Sequence, residues 1–268
     1  MGELRGAVVL AAGAGTRMRR EGADAGLSEE QRRAAHSGAK AMMPLGDRPF
    51  LDHVLHGLAE AGIREVCLVV APDHEAMRAH YETLRPTRLR LEFAVQESPK
   101  GTAHALLSAE AWAGDGEFLL INGDNHYPGA ALRALVELHG PGLAAFDAQT
   151  LLADGMPAEE KAARLLAFSD VRFDDSGTLI SIVEKPPYTP NWVSMNAWRF
   201  GPAIFQACHA IDPSPRGEWE LPSAVTYSQE QLQQQYRAIP SAGPVLDLSG
   251  RGDVRWVQEA LGSSEVRL

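Results

Sequence analysis

The sequence predicts an α/β protein whose mainly parallel sheet lies between layers of helices, and three observations carry that expectation. Short apolar runs ending at turn residues alternate with stretches of helical periodicity through the first half of the chain, as parallel strand–helix–strand units require. The first run, Ala7-Val8-Val9-Leu10-Ala11-Ala12, is too short for a helix and stops at Gly13, so it reads as a buried strand. After Gly140-Pro141-Gly142 the alternation breaks and a hairpin pattern follows, which predicts an antiparallel insertion in the second half.

Residues 50–61 are apolar at helical spacing and end at Gly62, a natural C-cap. A strand is expected over 65–71, a helix over 73–84 with Asp73 as N-cap, and an alternating strand over 88–96. Helix over 101–112, strand over 117–122 and helix over 128–139 complete the first half. In the second half the pattern predicts a strand over 143–152, a helix over 158–166, and a hairpin over 170–184 turning at Asp174-Asp-Ser-Gly177. A strand over 192–200, helices over 202–211 and 220–235, an extended segment over 236–248 and a last helix over 252–261 follow. Ser28-Glu-Glu-Gln31 has the form of a capping box.

The chain of 268 residues, 45% hydrophobic and 22% charged, is long enough to bury a sizeable core, roughly three quarters of its unfolded surface. A net charge of −10 argues against general binding to nucleic acid or anionic membranes. No apolar run is long enough for a bilayer, and Met1-Gly-Glu-Leu-Arg-Gly6 lacks the apolar core of a signal peptide, so a cytoplasmic protein is expected. Cys67 and Cys208 sit in apolar settings and read as buried free thiols. His53 and His56 have no third ligand at suitable spacing and read as half-buried or surface histidines. No nucleophile motif indicates covalent catalysis.

Gly13-Ala14-Gly15-Thr16-Arg17-Met18 follows the first strand directly. Two glycines in three positions let the backbone turn sharply and present N–H groups, while Thr16 and Arg17 add a hydroxyl and a permanent cation. It is neither a dinucleotide fingerprint, because position 18 is Met, nor a P-loop, which needs Gly-Lys-Ser/Thr. Two glycines alone more often make a plain turn. The whole string from Leu10 to Met18, followed by Lys40-Ala-Met-Met-Pro44-Leu-Gly46-Asp-Arg-Pro49, resembles the signature of the sugar-1-phosphate nucleotidylyltransferases. That resemblance implies a three-layer α/β/α, Rossmann-like sheet of the glycosyltransferase-A type. It implies one domain over 1–268, with a nucleotide-binding half to 142 and a sugar-phosphate-binding half from 143. Leu10, Ala11, Ala12, Gly13, Gly15 and Thr16 would then wrap a nucleoside triphosphate.

Three further clusters follow in the family's order. In Gln96-Glu-Ser-Pro-Lys-Gly101-Thr102-Ala103-His104, a glycine at a helix start lets a ligand approach the backbone, and a Gln amide can both donate and accept at a base edge. The resemblance makes Gln96, Gly101 and Thr102 nucleotide-binding, with UTP or dTTP favoured. Asn122-Gly123-Asp124 lies past the carboxyl end of a predicted strand, where ligands bind in open α/β sheets, although Gly-Asp alone is more often a turn. By resemblance Gly123 contacts the nucleotide and Asp124 is the first ligand of Mg²⁺. Asp247 is the second, and Asp253 competes for that place. In Glu184-Lys185-Pro186, the resemblance gives Glu184 the sugar hydroxyls and Lys185 the sugar phosphate. Asn122 and Asn196 join the sugar side, and Arg216-Gly-Glu-Trp-Glu-Leu221 resembles a stretch preceding a helix. The sequence departs from the family at Phe168-Ser169, where an aromatic-Gly pair is usual, and at Ala39, where proline is usual. The 19–39 connection is longer than usual and reads either as a lid over the triphosphate or as a surface insertion.

The implied reaction is attack of a sugar 1-phosphate oxygen on the α-phosphorus of the triphosphate, with pyrophosphate leaving. That oxygen is already ionised at neutral pH, so catalysis reduces to positioning and charge neutralisation by Arg17, Lys40, Asp124 and Lys185. The expected partners are the nucleotide and the sugar phosphate, without nucleic acid or membrane, and a homo-oligomer stays open. Two other readings remain: a cytidylyltransferase acting on a non-sugar phosphate such as choline phosphate, and a catalytically silent regulatory relative.

Overall fold

The computed structural model describes residues 3–13, 15–20, 26–152, 158–262 and 265–268. The first half contains β1 (Leu4–Leu10), α1 (Thr16–Arg20), α2 (Glu29–Ser37), β2 (Pro44–Leu45), β3 (Arg48–Pro49), α3 (Phe50–Glu60), β4 (Glu65–Val70), α4 (Glu75–Leu84) and β5 (Arg90–Val95). It continues through α5 (Thr102–Leu107), α6 (Glu110–Ala113), β6 (Glu117–Asn122), β7 (Asn125–His126) and α7 (Gly129–Glu137). The second half contains β8 (Gly142–Asp147), α8 (Ala148–Leu151), α9 (Ala158–Leu165), β9 (Ser169–Phe173), β10 (Leu179–Val183) and β11 (Trp192–Phe200). It closes with α10 (Ala203–Ala210), α11 (Leu221–Gln231), β12 (Arg237–Ser241), β13 (Leu246–Asp247) and α12 (Asp253–Leu261).

The main sheet runs β10-β9-β11-β6-β1-β4-β5, with β8 joined to β11 and carrying β12. The main-sheet strands of the first half are parallel, β6, β1, β4 and β5 pairing in one direction, while β2 and β3 form a separate antiparallel pair. In the second half antiparallel pairing extends beyond the β9–β10 hairpin, because β11 runs antiparallel to β6, β8 and β9. Alternate residues of each central strand enter separate cores. Ala7, Val9, Leu119 and Ile121 face the layer of α3, α7 and α12, while Val8, Phe118 and Leu120 face α5, α10 and α11. Burial on both faces explains why these strands read as unbroken apolar runs.

Several boundaries differ from expectation, each for a local reason. Helix α4 takes His74, not Asp73, as its N-cap, and no side chain caps it. The helical stretch after Gly101 is interrupted between Leu107 and Glu110. β8 stops at Asp147, whose carboxylate accepts from the Gln149 N–H and starts α8. The capping box at α2 forms in full: the Gln31 N–H donates to Ser28 Oγ at 3.2 Å and the Ser28 N–H donates to Gln31 Oε1 at 3.0 Å. Ser28→Ala is therefore expected to lower stability by about 1 kcal/mol in urea titration.

Both cysteines are buried and free, and burial pushes each thiol up to about 12, which leaves them unreactive. Among the described residues no helix is long and apolar enough to cross a membrane.

Candidate active site

The loop after β1 is shaped by what lies behind it. Gly15 has φ +59, and a Cβ there would stand 2.3 Å from the carbonyl oxygen of Gly38, so only glycine lets the loop lie against the C-terminus of α2. A Cβ on Gly13 would meet nothing within 4 Å, which leaves that side of the loop open to an approaching ligand. The sequence expectation for 19–39 falls partly on residues 21–25, outside the described residues. The described part, α2, packs behind the loop: Arg19 donates to the Ser37 carbonyl, and Gln31 donates to Pro44 O at 2.9 Å and Gln258 Oε1 at 3.1 Å.

Four of the sequence-predicted residues converge at the strand ends. Lys40 Nζ donates to Asp124 Oδ2 at 3.3 Å. Asp124 is brought beside Asp247 by backbone pairing, since β7 and β13 form a two-stranded ladder in which Asp247 faces Asn125, and the Leu248 N–H donates to the Asp124 carbonyl. Burial and the neighbouring Asp124 carboxylate push the Asp247 carboxyl up to about 6, against the pull of the Ser249 hydroxyl and Lys40. Arg17 and Asp247 line one cavity of about 440 Å³, together with Arg164, Ser249 and Gly250. Two crowded carboxylates beside a cavity are a hard-oxygen donor set of the kind Mg²⁺ takes, completed by phosphate and water oxygens. Among the described residues no group of three or more His, Cys, Asp or Glu forms a larger metal cluster.

Asp253, the competing ligand, is already engaged. It accepts from Arg164, from Trp256 Nε1 and from the Gly250 N–H. It opens α12 from the position after the N-cap, Gly252.

A second cleft of about 210 Å³ adjoins the first and shares Asp247, Ser249, Ala167 and Phe168 with it. Its walls include Asn122, Asp124, Ser169, Glu184, Ser194 and Asn196. Asn196 has φ +56 and sits where the β11–β8 register shifts between Ser194 and Trp198, a bulge that re-aims its side chain. Ser169, which stands in place of the expected glycine, donates its hydroxyl to Glu184 Oε2. The other oxygen of Glu184 faces Arg216 at 3.5 Å, and Arg216 also binds Glu220 at 2.7 Å. Lys185, at φ +46, bends the chain after β10; it is exposed and its charge is felt by Glu220.

The segment expected to face the base is held from one side by protein backbone. Gly101, at φ +105, is closely approached by protein backbone: a Cβ there would stand 2.4 Å from the Trp219 carbonyl oxygen. The Trp219 N–H donates to Lys100 O and the Ala103 N–H donates to Trp219 O, while Thr102 Oγ1 accepts from the Leu221 N–H at 2.9 Å. Gln96 Nε2 donates to Gly101 O and faces His104 Nδ1, both at 3.2 Å. Gly123 packs against the first strand's end, its N–H donating to Leu10 O.

Sequence reasoning passed over the residues that hold these groups. Asn125 donates to Asp247 Oδ1 and accepts from Asn122, Ser249 donates to Asp247 Oδ2 at 2.6 Å, and the buried Tyr127 hydroxyl accepts from the Asn122 N–H and donates to Met195 O. His126, paired with Leu246 across the same ladder, is pushed down to about 4 by burial and by His53 and His56. The fold thus favours neutral His126, while the unfolded imidazole protonates near its ordinary 6.5. Stability is full above pH 6.5 and declines as pH falls toward 4. Urea midpoints between pH 7.5 and 4.5 are expected to fall more steeply for the wild type than for His126→Gln.

The family model described as nucleotidyl transferase matches residues 6–243, which include Arg17, Lys40, Asp124 and Lys185. The chain belongs to the nucleotidyl transferase family. This family member is 33% identical over 220 residues to the UTP–glucose-1-phosphate uridylyltransferase AglF of Haloferax volcanii, a match covering 82% of this chain and 81% of that protein. It is 28% identical over 222 residues to the glucose-1-phosphate thymidylyltransferase of Streptomyces griseus, spanning 82% of this chain but 56% of that protein. Its fold matches a solved UDP-glucose pyrophosphorylase complexed with UDP-glucose at a TM-score of 0.75 and 17% identity, covering 96% of this chain and 98% of the other. The three-layer architecture read from the sequence is therefore the fold of this family member.

Proposed function

We propose that the protein transfers a nucleotidyl group from UTP or dTTP to a sugar 1-phosphate, releasing pyrophosphate and a nucleotide sugar, in the presence of Mg²⁺. The observation that carries this reading is the convergence of Arg17, Asp124 and Asp247 on adjoining clefts at the strand ends, with Lys40 bonded to Asp124. The relatives' names support a pyrimidine nucleotide and a glucose 1-phosphate-like acceptor.

The acceptor phosphate oxygen forms a bond to the α-phosphorus as the bond to the β-phosphate oxygen breaks, and pyrophosphate carries away the electron pair. Arg17 holds the outer phosphates with its planar fork, and Lys40 offsets charge growing at the α-phosphate. Gln96 and the adjoining segment face the base. Lys185 docks the incoming phosphate, while Glu184, Asn122 and Asn196 orient the sugar. Asp124 and Asp247 would hold the magnesium ion, which supplies further neutralisation of the triphosphate.

The test is a grid of five nucleoside triphosphates against sugar 1-phosphates and choline phosphate with Mg²⁺, read as pyrophosphate released. Release with UTP or dTTP and a sugar 1-phosphate is expected. Release only with choline phosphate would overturn the acceptor class, and failure to bind any Mg-nucleotide would overturn the activity.

A further inference from the structure

We propose that Arg251 is a positioning residue that keeps Arg17 aligned with the Asp124–Asp247 pair; this rests on the function proposed above. Arg17 rides on α1, a helix of five residues, too short to persist by its own hydrogen bonds. Its placement comes from tethers. Met18 is fully buried, and Arg19 fixes one side of α1 to Ser37 at the end of α2. On the other side Arg251 Nε donates to the Met18 carbonyl at 2.8 Å, across 233 residues of sequence. A carbonyl in a helix's last turn lacks an intrahelical donor, and a guanidinium is well suited to supply one there.

The importance of this bond lies in where Arg251 is anchored. Only 6% exposed, it belongs to the loop joining Asp247 to α12. That loop is braced throughout: Leu248 N–H bonds to Asp124 O at 2.9 Å, Ser249 Oγ to Asp247 Oδ2 at 2.6 Å, and Gly250 N–H to Asp253 Oδ2 at 2.7 Å. An unbroken series of contacts thus runs from the helix bearing Arg17 to the backbone of Asp124. Arg17 itself makes no hydrogen bond or ion pair with any described residue, so its charge is available to a ligand while its location is set by its neighbours. Removing the Arg251 guanidinium leaves the Arg17 charge intact and frees the helix under it.

The experiment compares Arg251→Met and Arg251→Lys with the wild type, using Arg199→Met as a control for loss of a buried arginine. Arg199 is paired with Glu117 at 2.7 Å and bonds to the end of α7, away from both clefts. Arg251→Met is expected to raise KM for the nucleotide by about tenfold and to raise the Mg²⁺ concentration for half-maximal rate, since a small misplacement of a binding group has that scale of effect. KM for the sugar phosphate stays within about twofold, and Arg251→Lys, which keeps a charged donor, falls between. Calorimetric titration of a non-hydrolysable Mg-nucleotide should show the same loss of affinity. Unchanged nucleotide affinity in folded Arg251→Met would overturn the proposal. So would an equal rise of both KM values matched by Arg199→Met. If Arg251→Met fails to fold, nucleotide affinity in Arg251→Lys equal to wild type overturns it. A wild type inactive with every acceptor refutes the proposed function alone, because nucleotide titration still reads the role of Arg251.

Discussion

Replacing Asp124 by alanine is expected to lower kcat by about 10²-fold or more while leaving the fold intact, the size of effect seen when a preorganised charge stabiliser is removed. Its backbone contact, the Leu248 N–H bonding to its carbonyl, survives the substitution, and its side chain bonds only to Lys40 among the described residues. The carboxylate is about one-third exposed, so its loss leaves no dry cavity. Lys40→Ala should cost a similar factor. Because Lys40 and Asp124 touch at 3.3 Å, the double variant should lose less than the product of the two single losses. Steady-state kinetics with thermal melts check this, and wild-type turnover in either single variant would remove the role.

Gly101→Ala carries the second large effect. A side chain at φ +105 is strained in itself, and its Cβ would fall 2.4 Å from the Trp219 carbonyl, backbone that is held in place by bonds to Lys100 and Ala103. Strain of this kind costs on the order of 1–3 kcal/mol before the clash is counted. A loss of roughly 3 kcal/mol in urea titration is therefore expected, together with a raised KM for the nucleotide as the segment from Gln96 parts from Trp219. A stable Gly101→Ala variant with unchanged KM would show that this contact is dispensable.

The sequence was most readable where one requirement ruled a whole element. β6 and β11 occupy the expected residues 117–122 and 192–200; in β6 the reason is plain, since its middle, Phe118 to Ile121, is covered on both sides and apolar throughout. Arg17, Lys40 and Asp124 could be singled out because each stands in a recognisable string. Legibility failed where a group's role depends on a distant partner. Nothing around Asn125 announces a bond to Asp247, and nothing around Arg251 announces Met18. At Gly101 the glycine pointed to a close approach by a ligand, and in the structure the group that lies close is the Trp219 backbone. At Asp73 the capping preference was overridden, and α4 begins one residue beyond His74.

Lys185 and Asn196 are two of four non-glycine residues with positive φ among those described, and both belong to the side proposed to take the acceptor. Asparagine tolerates that geometry and lysine does so poorly. Selection for thermal endurance alone would favour glycine at 185, relaxing the backbone and discarding the ammonium group. If lysine is kept there for the proposed docking of the acceptor phosphate, the chain accepts a less comfortable resting shape in return, and stabilising screens that ignore turnover should erode this corner of the molecule first.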